Sequence, residues 1–218
     1  MLDLLLPERC AVCDRPGRAL CERCRGELIR LSPPVCERCG SPGAWPVLRC
    51  AECSGRRLAF ARARAAVIYD SRAKAFVRSW KEHGRRRLAI EAASLVAEVV
   101  ARPEVDALTH VPGDPERAWK RGVVPPRGLA VALGDLWDLP TCEPLRRSRS
   151  LPRQRGLALA ERRRNVRGSV VAEGGVPRAV GLVDDVYTSG ATADACASAL
   201  RKVGARRVEV VTLARAVR

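Results

Sequence analysis

The sequence predicts an α/β fold, a parallel sheet with flanking helices, preceded by a small Cys-rich domain that binds metal. Three observations carry this. Four Cys-x-x-Cys knuckles, Cys10/Cys13, Cys21/Cys24, Cys36/Cys39 and Cys50/Cys53, crowd into the first quarter of the 218 residues. Beyond them, short β-branched apolar runs alternate with helical stretches, the pattern of a parallel sheet with crossover helices. Residues 180–192 then read as a buried strand, two carboxylates, a hydroxyl-rich turn and the start of a helix.

Each knuckle offers two thiolates, and two knuckles complete a tetrahedral four-cysteine zinc site, so eight sulfurs suit two Zn2+ ions. Sequential pairing (Cys10, Cys13, Cys21 and Cys24; then Cys36, Cys39, Cys50 and Cys53) and crossed pairing are both open. Four protein thiolates leave no position for water, which makes the metal structural rather than catalytic. Gly17, Gly40, Gly43, Pro16 and Pro42 punctuate ribbons too short for a core of their own, so folding here needs the metal. Cys142 and Cys196 stand apart and are expected to pack as small apolar residues.

The composition changes after Ser54, which places a boundary between a double zinc ribbon at 1–55 and an α/β domain at 56–218. In that domain a strand is expected over 65–69, then a turn at Asp70-Ser71 and a helix over 73–82 with Phe76 and Trp80 on one face. Gly84 and Arg85-Arg86-Arg87 break it. A second helix spans 88–101 and stops before Pro103. A strand over 105–111 leads into Pro112-Gly113-Asp114-Pro115, a basic loop holding Arg117, Lys120 and Arg121, and a helix over 128–137. Strand, Gly/Pro loop and helix in this order form a ligand-facing corner of a parallel sheet.

The net charge of +16 is uneven. Residues 1–55 carry only +1, whereas 145–168 hold nine Arg against Glu161 alone. A polyanionic ligand, a diphosphate or a nucleic acid, is expected at the larger domain. Aromatic residues make up only 4% of the chain, which is sparse for a binder that stacks bases. No run of 18 or more apolar residues is present, so no membrane insertion is expected. Leu2, Leu4, Leu5 and Leu6 are too few for a signal peptide, and a reducing, cytoplasmic location is expected.

The stretch 180–192 is the most informative. An apolar strand over 180–183 delivers Asp184 and Asp185 to the carboxyl end of the sheet, where ligands of such folds collect. Val186 and Tyr187 follow. Thr188, Ser189, Gly190, Ala191 and Thr192 supply hydroxyls and unobstructed amides at the start of a helix over 192–203, a setting that holds phosphate. Two acids beside a phosphate cradle describe a ligand with vicinal hydroxyls and a phosphomonoester, such as a ribose 5-phosphate. A last strand over 208–213 completes a βαβ unit.

This stretch resembles the PRPP-binding motif of type I phosphoribosyltransferases (PRPP being 5-phosphoribosyl 1-diphosphate). With the four knuckles, Lys81-x-x-Gly84, Val111-Pro112, Arg121-Gly122, Gln154, residues 162–165 and Gly168, the whole chain resembles the ComF family, which joins a double zinc ribbon to a type I phosphoribosyltransferase-like domain. The resemblance implies that Asp184 and Asp185 hold the ribose hydroxyls and that Val186 to Thr192 form the PRPP loop. It also implies that Val111, Pro112, Arg117 and Arg121 meet the diphosphate with Mg2+. One departure is visible: Arg121-Gly122-Val123-Val124-Pro125 stands where relatives read Arg-Gly-Phe-Asn-Gln, so an amide pair is lost. The resemblance further implies a part in natural transformation, with single-stranded DNA and competence proteins as partners. Two functions follow from it, a phosphoribosyltransferase or a non-catalytic DNA-binding adaptor that senses PRPP. No residue stands out as a base for an acceptor, since His83 and His110 are isolated.

Overall fold

A computed structural model describes residues 8–83, 85–114, 119, 122–148 and 169–217. In chain order the elements are α1 (Glu22–Gly26), β1 (Arg62–Ile68), α2 (Ser71–His83), α3 (Leu88–Val99), β2 (Ala107–His110), α4 (Pro125–Trp137), β3 (Leu145–Arg147), β4 (Val170–Ala172), β5 (Ala179–Tyr187), α5 (Ala191–Lys202) and β6 (Arg207–Arg215). The expected parallel sheet is present: β1, β6, β5 and β2 lie side by side in that order, every pairing parallel. A short antiparallel pair, β3 with β4, stands apart.

Local chemistry explains the helix ends. The Asp70 carboxylate accepts from the Arg72 and Ala73 amides at 3.0 and 2.9 Å and so caps the first turn of α2. Phe76 and Trp80, one turn apart on α2, are buried and meet edge to face with centroids 6.1 Å apart. Such a pair contributes about 0.5–1.5 kcal/mol beyond its buried area. Pro125 and Pro126 open α4, where no amide donor is needed, and a left-handed Asp138 closes it.

The strands run longer than their apolar runs. β1 starts at Arg62 because Arg62 and Arg64 take the outward positions of an alternating strand, and Arg62 Nε donates to the buried Glu209 at 2.7 Å. β5 continues through Asp184 and Asp185 to Tyr187, so the two acids lie within the strand and not after it. The reason is the neighbour: β6 keeps pairing as far as Tyr187 opposite Arg215, while β2 stops at His110 opposite Val183. From Asp184 onward one side of β5 is therefore open.

Two apolar clusters cover the two faces of the sheet. One joins α2, α3 and α4 with Cys10, Ala11, Leu20 and Cys24 of the first ribbon. The other joins α5, Phe60 and Tyr187 with Cys36, Cys39 and Cys53 of the second. The ribbons thus have no core of their own, and each borrows one face of the α/β domain. Gly40 shows how close the second ribbon comes. Its φ is +71°, and a Cβ there would sit 2.5 Å from the Ala63 carbonyl of β1. The outer edge of β1 is closed by residues 29–31, through Leu31 N to Ala66 O and Ile68 N to Ile29 O, both 2.8 Å. That of β2 is bridged by residues 140–142 through Leu108.

Candidate functional site

The open side of β5 borders a cleft of about 180 Å³ walled by Lys81, residues 111–114, residues 123–126, Arg147, Asp184 and Asp185. Successive strand residues face opposite ways, and the partners of the two acids follow that rule. Asp185 is buried and ion-paired with Lys81 of α2. Asp184 lies on the α5 side, where its charge is felt by the Cys196 thiol, and its Oδ1 accepts the Asp185 amide at 2.8 Å.

The electrostatics are asymmetric. Burial, then the neighbouring Asp185 charge, pushes the Asp184 carboxyl well above the usual carboxylate range, and Lys81 offsets only part of this. Burial works against the Lys81 ammonium, but the Asp185 carboxylate outweighs it and the lysine pKa is raised. The cleft also holds Asp114 and Arg147, whose Nε donates to the Pro112 carbonyl at 3.0 Å and ties β3 to the 112–114 loop. Among the described residues no third His, Cys, Asp or Glu joins Asp184 and Asp185 with ligand atoms all within 4.8 Å. His110, at the end of β2, has its pKa lowered by burial.

The turn after β5, expected to hold a phosphate, is not among the residues walling the cleft. Gly190 is left-handed at φ +70° and serves as the N-cap of α5. Ser189 is buried, its hydroxyl accepting the Ala191 amide at 3.3 Å, whereas Thr188 is exposed. Tyr187 is buried at 4% exposure and faces the second core, so its ring supports the turn from beneath.

Several expected residues are brought together: Val111, Pro112, Asp184 and Asp185 share one cleft. Arg117, Lys120, Arg121, Gly84, Gln154, residues 162–165, Gly168, Leu2, Leu4, Leu5, Leu6 and the His83 side chain lie outside the described residues. Lys81 figures in the sequence only as part of Lys81-x-x-Gly84, with no role attached. A signal was nevertheless present: in a chain with 36 Arg and four Lys, one of the few lysines stands at the end of an amphipathic helix.

The cysteines resolve the pairing as sequential. Cys10, Cys13, Cys21 and Cys24 form one group and Cys36, Cys39, Cys50 and Cys53 the other, with all four sulfurs of each group within 4.8 Å. Neighbouring sulfurs lie 3.9 Å apart for Cys13 and Cys21, 3.7 Å for Cys36 and Cys53, and 3.5 Å for Cys39 and Cys50. A tetrahedral zinc with Zn–S bonds of about 2.3 Å requires sulfurs roughly 3.8 Å apart. The Cys21 and Cys50 amides point at the Cys10 and Cys36 sulfurs at 3.5 and 3.3 Å, which supports thiolate charge. The residues fit two zinc ions, and those ions would hold the ribbons' shape without taking part in chemistry. Cys196 is fully buried outside both groups, where burial pushes its thiol up, as expected of a packed small residue.

Residues 1–55 match the double zinc ribbon domain model. The DNA utilization protein YhgH of Salmonella typhi, and that of Salmonella typhimurium, is 29% identical over 97% of this chain and 99% of its own length. Competence protein F of Haemophilus influenzae is 28% identical over 90% of each chain. Among solved structures, a purine phosphoribosyltransferase from Pyrococcus horikoshii aligns with 61% of this chain and 84% of its own at 18% identity and a TM-score of 0.33. By sequence the chain is thus similar, over nearly its whole length, to the DNA utilization and competence F proteins, with a double zinc ribbon at 1–55 and a parallel sheet with flanking helices after it.

Proposed function

We propose that the cleft beside Asp184 and Asp185 binds PRPP and that the chain is a phosphoribosyltransferase-type protein serving DNA uptake in the cytoplasm. The observation that carries this is the pair of adjacent acids at the carboxyl end of β5, opened to the cleft where β2 stops and faced by Lys81. In this reading Asp184 and Asp185 accept from the ribose 2- and 3-hydroxyls, and Thr188 to Thr192 hold the 5-phosphate through the first amides of α5, with Val186 and Tyr187 beneath them. Val111, Pro112, Arg117 and Arg121 flank the diphosphate, and Lys81 and Arg147 add positive charge. Mg2+ would arrive with the diphosphate. In transfer, the bond from the ribose C1 to diphosphate breaks and a bond from the acceptor forms, with the acceptor giving up its proton. Lys81 and Arg147 would stabilise the charge that gathers on the departing diphosphate.

Ligand that binds only the folded chain raises its stability by about 2.7 kcal/mol at a hundredfold excess over Kd. PRPP with Mg2+ at millimolar concentration is therefore expected to raise the melting temperature by several degrees. The Asp184→Asn, Asp185→Asn double variant is expected to show no such rise. An unchanged melting curve for the native chain would remove this reading.

One observation favours a second reading, a non-catalytic DNA-binding adaptor that senses PRPP. Trp119 is 85% exposed, and it stands in the run Arg117-Ala118-Trp119-Lys120-Arg121, an aromatic among bases of the kind that stacks nucleobases. Single-stranded oligonucleotide binding would then fall steeply with salt and weaken by about 1–3 kcal/mol in Trp119→Ala. Binding that is indifferent to both would exclude it.

A further inference from the structure

Arg215, the last residue of β6, is 1% exposed although it carries a full charge. Its Nη1 donates to the Cys39 carbonyl at 2.6 Å, and its Nη2 to the Glu52 carboxylate at 2.6 Å and to the Cys39 sulfur at 3.7 Å. On its other side the guanidinium lies 4.6 Å from the centroid of the Tyr187 ring, in a cation–π contact. Tyr187 sits directly opposite Arg215 in the β5–β6 pairing. The Tyr187 hydroxyl, in turn, fills the space where Gly190 lacks a side chain, so that a Cβ at Gly190 would collide with it. Zinc ligand, arginine, tyrosine and the left-handed glycine of the turn therefore touch in series.

Two further ties run from the segment just after the second ribbon. Arg56 Nη1 donates to the Ser189 carbonyl at 2.8 Å, and the Ala59 amide donates to Asp194 of α5 at 2.7 Å. Phe60 packs edge to face on the Tyr187 ring. The first ribbon is anchored elsewhere. Its Arg25 reaches Glu91, Ser94 and Glu98 of α3, on the opposite face of the sheet. A buried guanidinium is a costly way to join two elements, since apolar side chains of the same volume are often as stable. It does fix orientation, because its planar fork and its ring stacking each accept one geometry.

We propose that Arg215 is a positioning residue through which the second ribbon, and only the second, sets the shape of the Tyr187–Ala191 turn. With the Cys36, Cys39, Cys50 and Cys53 site closed, Cys39 and Glu52 hold the guanidinium, the guanidinium holds the Tyr187 ring, and the ring braces Gly190. In its consequence for ligand this rests on the PRPP reading above; in its consequence for the turn it does not.

The test uses the full zinc-loaded chain and the variants Glu52→Ala, Arg215→Lys and, as a control on the first ribbon, Arg25→Gln. Zinc content, amide hydrogen exchange and PRPP calorimetry are measured on each. Glu52→Ala and Arg215→Lys are expected to keep both zinc ions and to exchange about tenfold faster at residues 187–193 alone, the scale of one lost charge-assisted hydrogen bond. Their PRPP affinity is expected to drop by a similar factor, with Arg25→Gln unchanged in both. Exchange at 187–193 that stays native in Glu52→Ala and Arg215→Lys overturns the proposal, and so does faster exchange spread over the whole chain. Should Arg215→Lys fail to fold, Glu52→Ala, whose side chain is partly exposed, decides alone. Should the native chain not bind PRPP, the PRPP reading fails and hydrogen exchange still decides the role of Arg215.

Discussion

Removing the zinc is expected to unfold the whole chain in a single transition, not to release two loose ribbons from an intact α/β domain. The reason lies in how the cores are shared. Cys10 and Cys24 are packed into the same cluster as Trp80, Leu88 and Leu129, while Cys36, Cys39 and Cys53 are packed with Phe60, Tyr187 and Leu200. Opening either site uncovers one face of the sheet. Structural zinc contributes about 10–16 kcal/mol in isolated finger peptides, as much as the whole stability of a typical domain, about 5–15 kcal/mol. A chelator strong enough to compete should therefore abolish the near-UV signal of the buried Trp80 and Trp137 together with the helical far-UV signal. Cys53→Ser, at a fully buried ligand, is expected to give the same outcome or no folded protein. Cys142→Ser, at a partly exposed non-ligand, should leave both zinc content and melting near native. Two resolved transitions on chelation, the first without loss of the Trp80 signal, would falsify this coupling.

The limits of the sequence follow the range over which each interaction acts. Knuckles, capping residues and the Asp184–Asp185 turn depend on neighbours a few positions away, so spacing alone reveals them. The pairing of knuckles does not, because both pairings satisfy the same tetrahedron and only the path of the chain between them decides. Nor could the pattern show that the two ribbons dock on opposite faces of one sheet, since Leu20, Leu28 and Phe60 look alike as apolar residues whichever core they enter. Arg215 is the extreme case. One of 36 arginines, it finds its partners 163 and 176 residues away, and no period or motif marks it. The placement of Asp184 inside the strand was hidden for a related reason: a carboxylate normally marks a strand's end, but here β6 continues the ladder past it.

The acids themselves should behave oppositely when neutralised, although their sequence context is the same. Asp184→Asn is expected to stabilise the ligand-free chain, and Asp185→Asn to destabilise it. Asp185 and Lys81 hold each other, so removing the Asp185 charge strands a lysine that burial already disfavours. That costs roughly 1–3 kcal/mol, below the figure for a fully buried pair because Lys81 still reaches water. Asp184 has no such partner of its own. Its carboxylate is disfavoured by burial and by Asp185, and an asparagine there can still accept the Asp185 amide through its own Oδ1. Chains of this length gain about 2–4 °C in melting temperature for each kcal/mol, so both shifts are measurable.

The pH dependence separates this from a generic effect of removing charge. The folded-state pKa of Asp184 lies above its unfolded value, so between the two the folded chain binds the extra proton. Stability therefore falls as pH rises through that window and remains lower above it. Asp184→Asn should erase this fall, exceeding the native chain in stability at neutral pH and matching it below about pH 4, where the native carboxyl is protonated in both states. Lys81 acts at the other end of the scale: with its folded pKa raised, its contribution is complete below about pH 10 and is lost only as pH climbs through that raised value. Sugar hydroxyls donating to Asp184 would favour its charged form and offset the cost that the empty cleft leaves unmet. Ligand affinity in the native chain should then rise across the pH window in which stability falls, and Asp184→Asn, though it melts higher, should respond less to PRPP. An Asp184→Asn chain that melts lower than native at pH 7 would mean that the carboxylate is held by a favourable contact, and the acid would then be structural rather than poised for a ligand.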